Sequence, residues 1–137
     1  MKLISIIMPT YNASLYVRES IESVIQQSYT NWELIIVDDC STDDTTNILD
    51  YYKSIDDRIN VFKSEKNSGS PSLPRNTGIL ISRGDFISFL DADDIWFFNK
   101  LEIQLAFMLD NNYDFVCTAY DVMDDSGVKV SNYKPPL

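Results

Sequence analysis

Two short apolar runs, each ending in clustered carboxylates, constrain the fold of this chain more than any other feature. Residues 86–90 read Phe-Ile-Ser-Phe-Leu and stop at Asp91-Ala92-Asp93-Asp94. Residues 33–37 read Glu-Leu-Ile-Ile-Val and stop at Asp38-Asp39. Apolar runs of this length, closed by turn-forming residues, are buried strands. Carboxylates crowded at a strand end repel one another unless a cation neutralises them. Hard divalent cations such as Mg2+ or Mn2+ suit oxygen ligands, and Mg2+ commonly joins one or two carboxylates to substrate phosphates. Two strands that deliver acids to one edge of one sheet therefore point to a metal-assisted site for a phosphorylated ligand.

The rest of the chain alternates in the same way. Residues 3–8 form an isoleucine-rich first strand that Pro9 ends. Asn12 or Ser14 is placed to cap a helix reaching about Ser28, with Val17, Ile21, Val24 and Ile25 on one face. Residues 32–37 are the second strand, and 46–54 a helix with Ile48, Leu49 and Tyr52 inward. Residues 59–62 are a short third strand, and 65–74 a polar loop. A helix is expected over 75–82, the fourth strand from Phe86, and a helix over 97–109 on a Leu101, Leu105, Met108 stripe. Residues 115–119 read as a fifth strand, and 121–137 as a weakly patterned tail. This order implies an α/β fold with a mainly parallel, Rossmann-like sheet and helices on both faces. Such sheets bind ligands beyond the carboxyl ends of their strands, near a topological switch point.

Composition excludes several functions. At 137 residues the chain is one domain's worth and can bury a core. Its net charge of −10 opposes nucleic-acid binding, which needs a basic face, and disfavours a diphosphate without a cation. It has no histidine, which excludes Ser-His-Asp and Cys-His catalysis and His-ligated zinc within these residues. Cys40 and Cys117 lack metal-ligand or redox spacing and read as free thiols of a reducing, cytoplasmic compartment. No stretch approaches the roughly 18 apolar residues that span a bilayer. The domain could still work at the inner face of a membrane.

Each strand-end loop alone has a plain explanation. Pro9-Thr10-Tyr11-Asn12 could only stop a strand and start a helix. Asp38-Asp39-Cys40-Ser41-Thr42-Asp43 could be helix capping. A single Asp-x-Asp is weak in an Asp-rich chain. Their conjunction is stronger, because a parallel sheet would bring all three to one edge. Arg75, in Arg75-Asn76-Thr77-Gly78, adds a cation just upstream of the last acid-tipped strand.

In this order the segments at 4–12, 37–45, 75–79 and 89–94 resemble the successive motifs of family-2 inverting glycosyltransferases. The resemblance reaches about Tyr120. It implies a glycosyltransferase A fold, with residues 1–120 binding a nucleotide-sugar and 121–137 beginning an acceptor-side region or tail. By that resemblance Pro9, Thr10, Tyr11 and Asn12 pack beside the base and ribose. Asp39 accepts the uracil imide N–H, Arg75 approaches the base or phosphates, and Asp91-Ala92-Asp93 is the Asp-x-Asp motif. Within it Asp91 lies nearer the ribose and Asp93 on Mn2+ or Mg2+. The implied donor is a UDP-sugar, and the implied acceptor a glycan or lipid-linked glycan.

Two departures stand out. Small residues often precede the Arg-Asn pair in the family, whereas Pro71 and Pro74 stiffen that segment here. The family's acceptor base lies well downstream of the Asp-x-Asp motif, so it is expected beyond Leu137. Asp121, Asp124 and Asp125 come too early for that role. These residues are accordingly read as the donor-binding half of a longer enzyme, with a sheet incomplete at its C-terminal side and a homodimer left open. Two alternatives remain at this level: an aspartate-dependent phosphotransferase, and a nucleotide-sugar-binding module without catalysis. A glycine-dependent dinucleotide site is disfavoured, because the turn after the first strand has no glycine.

Overall fold

The computed structural model describes residues 1–124 and 126–133. The chain divides into two compact units, Met1–Leu101 and Glu102–Leu137.

The first unit is built on a four-stranded parallel sheet flanked by helices. Its strands are β1 (Ile4–Thr10), β2 (Trp32–Asp38), β3 (Ile59–Lys63) and β4 (Phe86–Phe89). They lie in the order β3-β2-β1-β4. Every residue of β1 and β2 is buried. That explains their near-continuous apolar character, since a central parallel strand is covered on both faces. The helices are α1 (Val17–Ile25), α2 (Thr45–Ile55) and α3 (Ser72–Ile81), and α4 (Lys100–Asn111) follows β4. Val17, Ile21 and Val24 of α1 are fully buried, as are Leu34 and Ile36 of β2.

Two local expectations are corrected. α3 begins at Ser72 rather than Arg75, with Pro71 and Pro74 at its start. Proline is tolerated there because first-turn N–H groups have no intrahelical acceptor. Neither Asn12 nor Ser14 caps α1. Tyr16 occupies the cap position and makes no side-chain capping bond to the helix, after a turn in which the Tyr16 and Val17 N–H groups reach the Ala13 carbonyl.

A polar pin holds β4 in the sheet. Glu33 of β2 is 4% exposed, yet its carboxylate accepts four hydrogen bonds. They come from Ser5 Oγ at 2.6 Å and from the Arg83 N–H, Nε and Nη2 at 2.8, 2.9 and 2.6 Å. The Gly84 N–H donates to Ser5 Oγ, and Asp85 accepts from the Leu3 N–H. Gly84 passes so close to β1 that a Cβ would lie 2.6 Å from the Ser5 backbone nitrogen. Backbone cannot yield as a side-chain tip can. Gly84→Ala is therefore expected to destabilise the fold by about 1–3 kcal/mol, the usual range for overpacking, read as a lowered urea midpoint at unchanged slope. An unchanged midpoint would show that β1 and β4 part freely.

The second unit holds β5 (Tyr120–Met123) and β6 (Lys129–Tyr133), paired antiparallel. The strand expected over 115–119 does not form, and Phe115 is 81% exposed. The hairpin wins through its turn. The Asp124 carboxylate accepts the Ser126 and Val128 N–H groups, and Gly127 takes φ 78°. Such Asx-type bonding and positive φ are strong turn determinants. Asp121 pairs with Lys129 across the hairpin at 2.7 Å. Asp125 and the end of the expected tail, 134–137, lie outside the described residues. Among the described residues, no helix is long and apolar enough to cross a membrane.

Candidate functional site

Three loops open at the carboxyl edge of the sheet, on either side of its switch point. β1 pairs with β2 through Thr10↔Asp38 and with β4 through Ile7↔Phe89. The chain leaves β1 toward β2 and β3, then returns to β1's other side as β4. That reversal sets the Pro9–Asn12, Asp38–Asp43 and Asp91–Asp94 segments side by side, where parallel α/β sheets bind ligands. The Asp39 N–H bonds the Thr10 carbonyl, and the Leu90 N–H bonds the Ile7 carbonyl.

A cavity of about 270 Å³ lies at this edge. Pro9, Thr10, Tyr11 and Asp39 form one side, and Asn67, Gly69, Ser70, Pro71 and Pro74 the other. Asp39 is 3% exposed. Its Oδ2 accepts from the Ser68 N–H and Oγ, both at 2.8 Å. Its Oδ1 is buried and has no hydrogen-bond partner among the described residues. A buried carboxylate oxygen without a donor is costly, so one on a cavity wall marks a place for a ligand N–H.

The other expected residues divide in role. Asn12 does not line this cavity. Its Oδ1 accepts the Thr42 N–H at 2.8 Å, and its own N–H bonds Ser41 Oγ at 2.9 Å. The Ala13 N–H reaches Thr45 Oγ1, and the Ser14 N–H reaches Asp43. The loops after β1 and β2 are thus stitched together. Asn12 and Cys40 both adopt positive φ, 46° and 70°, to make that geometry. Asp43 also receives the Thr45 N–H at the start of α2. Desolvation raises its pKa, but hydrogen bonds from Thr45 and Ser14 outweigh it and bring the carboxyl down to about 2. Asp43 therefore fastens the start of α2 to the loop after β1. Buried Asp38 is held by Ser41 Oγ and Thr46 Oγ1. Cys40 and Cys117 are free thiols.

The acidic loop is gripped from two sides. Arg75 of α3 pairs with Asp91, and its Nε is buried without a partner. From α1 come Ser20 and Ser23, and from just beyond its end Gln27, all buried. Ser20 Oγ donates to the Ala92 carbonyl at 2.9 Å, and Ser23 Oγ accepts the Trp96 N–H at 3.2 Å. Gln27 donates to the Phe97 carbonyl and accepts from the Leu101 N–H. Residues 92–99 lack regular structure, so their backbone groups need such partners. Ala92 itself is 7% exposed, while Asp93 and Asp94 face solvent. The Asp94 pKa is raised by desolvation and by the charges of Asp93 and Asp91. Among the described residues, no three or more acids, cysteines or histidines already form a metal-holding group. The oxygen donors of this loop suit a hard cation, provided a ligand's phosphates complete its coordination.

Two parts of this site escaped the sequence. Asn67 and Ser68 lay in a segment read only as a polar loop, although Asn, Ser and Gly in succession mark a tight turn. Ser20, Ser23 and Gln27 sit at helical spacing beside the apolar stripe, where polar residues usually face water.

The sequence matches Glycosyl transferase family 2 over residues 5–135. It is 44% identical over 131 residues to TuaG of Bacillus subtilis, a glycosyltransferase assigned to teichuronic acid biosynthesis, covering 96% of this chain and 52% of TuaG. It is 42% identical over 127 residues to the Escherichia coli UDP-Glc:alpha-D-GlcNAc-diphosphoundecaprenol beta-1,3-glucosyltransferase WfgD, covering 92% and 49%. Among solved structures, S. aureus TarS 1-349 in complex with UDP superposes with a TM-score of 0.76 at 36% identity, over 82% of this chain and 33% of that one. The chain spans about half the length of these two curated relatives. On sequence and fold alike, the chain belongs to glycosyl transferase family 2.

Proposed function

We propose that this chain holds the donor of a sugar-transfer reaction, a UDP-sugar, through its uracil, ribose and diphosphate. The observation that carries this is the unpartnered Asp39 Oδ1 on the wall of the strand-end cavity. It accepts the uracil N3–H. Pro9, Thr10 and Tyr11 pack against the base and ribose, and Asn12 holds their loop in place. Asp91, with Ala92 behind it, lies toward the ribose. Arg75 faces the base or phosphates. Asp91 and Asp93 would hold Mn2+ or Mg2+ together with the diphosphate; such an ion stabilises the departing nucleoside diphosphate. The sugar then passes with inversion to a glycan or lipid-linked glycan acceptor, in polysaccharide synthesis at a cytoplasmic membrane face. The UDP bound to TarS and the undecaprenol-linked substrate in WfgD's name support this reading.

Asp39→Ala tests it. Loss of a hydrogen bond to a charged group costs roughly 1.5–3 kcal/mol, so UDP should bind about 10- to 150-fold more weakly by calorimetry. ADP should change less, because adenine offers the lone pair of N1 where uracil offers N3–H. An unchanged UDP-to-ADP ratio would leave Asp39 as a loop-fastening acid and end the uracil assignment.

A further inference from the structure

We infer that Ser68 is a specificity-determining positioning residue, which sets this site for uracil and against guanine by occupying one oxygen of Asp39. The inference rests on the assignment of Asp39 to the base.

A carboxylate with both oxygens free is a two-acceptor fork. The complementary base edge carries two parallel donors, which is what guanine offers in N1–H and its 2-amino group. Uracil offers one N–H between two carbonyls. Against uracil a free fork would press its second oxygen toward a carbonyl oxygen, which is repulsive. The best partner for an imide is a carboxylate with one oxygen free and the other already satisfied.

Asp39 has that arrangement. Ser68 places two donors, its N–H and its Oγ, on Oδ2, and leaves Oδ1 buried without a partner. The clamp is moored independently of the carboxylate. Asn67 Nδ2 donates to the Asp39 carbonyl at 3.1 Å, and Asn67 Oδ1 accepts the Gly69 N–H at 2.7 Å. Gly69 takes φ 76°, turning the chain back along the cavity wall. Ser68 Oγ also lies 2.8 Å from the Ser70 carbonyl, so its one proton is shared between two acceptors. Asn67 therefore fixes the wall, and Ser68 fixes the carboxylate.

The two roles separate by experiment. UDP and GDP are titrated calorimetrically, with Mn2+, into the chain and its Ser68→Ala, Ser68→Thr, Asn67→Ala and Asp39→Ala variants, each checked for an unchanged circular dichroism spectrum. Ser68→Ala should weaken UDP about fivefold while GDP holds or gains, so the UDP-to-GDP ratio falls by about fivefold or more. Ser68→Thr keeps the hydroxyl and should keep the ratio. Asn67→Ala should weaken both nucleotides alike, as a loosened wall would. If Ser68→Ala leaves the ratio unchanged while Asp39→Ala weakens UDP, the clamp has no part in selection and the inference falls. If Asp39→Ala leaves UDP unaffected, the donor-site assignment itself falls.

Discussion

Chelating divalent cations is expected to weaken UDP binding by about 100-fold or more. The expectation follows from charge. The chain carries a net charge of −10, and the edge that would receive the diphosphate already presents Asp91, Asp93 and Asp94. Arg75 pairs with Asp91 and leaves Asp93 and Asp94 facing solvent. Burial raises the Asp94 pKa, and the charges of Asp93 and Asp91 add to that rise. Unit charges about 4 Å apart at an effective dielectric of 20 interact by about 4 kcal/mol. A diphosphate entering without a counter-ion meets repulsion of that order, and a shared Mn2+ reverses its sign. Calorimetry with Mn2+ and then with excess chelator measures the difference directly. Equal affinity in both conditions would remove the metal from this site, and Arg75 alone would then carry the phosphates. Asp93→Asn should reproduce most of the chelator's effect.

The largest effect on stability is expected at Glu33. Removing one partner of a buried ion pair commonly costs about 3–5 kcal/mol. Arg83 here is largely exposed, so part of its charge stays solvated after the change. Glu33→Ala should nevertheless cost about 3 kcal/mol, because Ser5 and the Arg83 N–H also lose their acceptor. For a domain of this size that lowers Tm by about 10 °C. The pair also predicts a pH dependence. Burial pushes the Glu33 carboxyl up, but the bonds from Ser5 and Arg83 outweigh this and hold it below the ordinary range of a glutamate. A carboxyl with a depressed folded-state pKa stabilises above its unfolded pKa, and that stability is lost as pH falls through the folded value. Wild type should therefore lose stability below about pH 4.5 more steeply than Glu33→Gln. Parallel curves for the two proteins would show that the pin carries no ionic contribution.

Much of the first unit was legible in the sequence because its signals are local. Residues 4–10 and 32–38 are mainly apolar and close on Pro9-Thr10 and on the paired acids Asp38-Asp39, and they form β1 and β2. The acids at 38–39 and 91–94 stop their strands at one edge because parallel strands share a direction. What failed to show was the partner of each polar side chain. Asn12 looks like a helix cap and instead binds Thr42, thirty residues away. Glu33 is a lone acid among the apolar residues of its strand, and its partner is Arg83, fifty residues on. Ser20 looks like helix surface and holds Ala92. Capping propensity and periodicity describe neighbours along the chain, and these contacts are made across it. At 115–119 the composition suited a strand, but a strand also needs a partner, and the turn at Asp124–Gly127 gave that partner to Tyr120–Met123 instead.

The placement of β4 has a consequence for how the chain folds. β1, β2 and β3 can assemble from successive, closely spaced elements. β4 must close on β1 with Ile4 opposite Phe86, a contact between residues far apart in sequence. Long loop closures are slow, because chain entropy is lost before the contacts that offset it are made. Asp91 and Asp93 follow β4 directly, so they reach the edge only once that last strand has docked. The half-site made by Pro9, Tyr11 and Asp39 belongs to the earlier assembly. A ligand that spans both would stabilise only the finished form. Donor should therefore slow unfolding of the chain, while its refolding rate in water stays set by closure of β4.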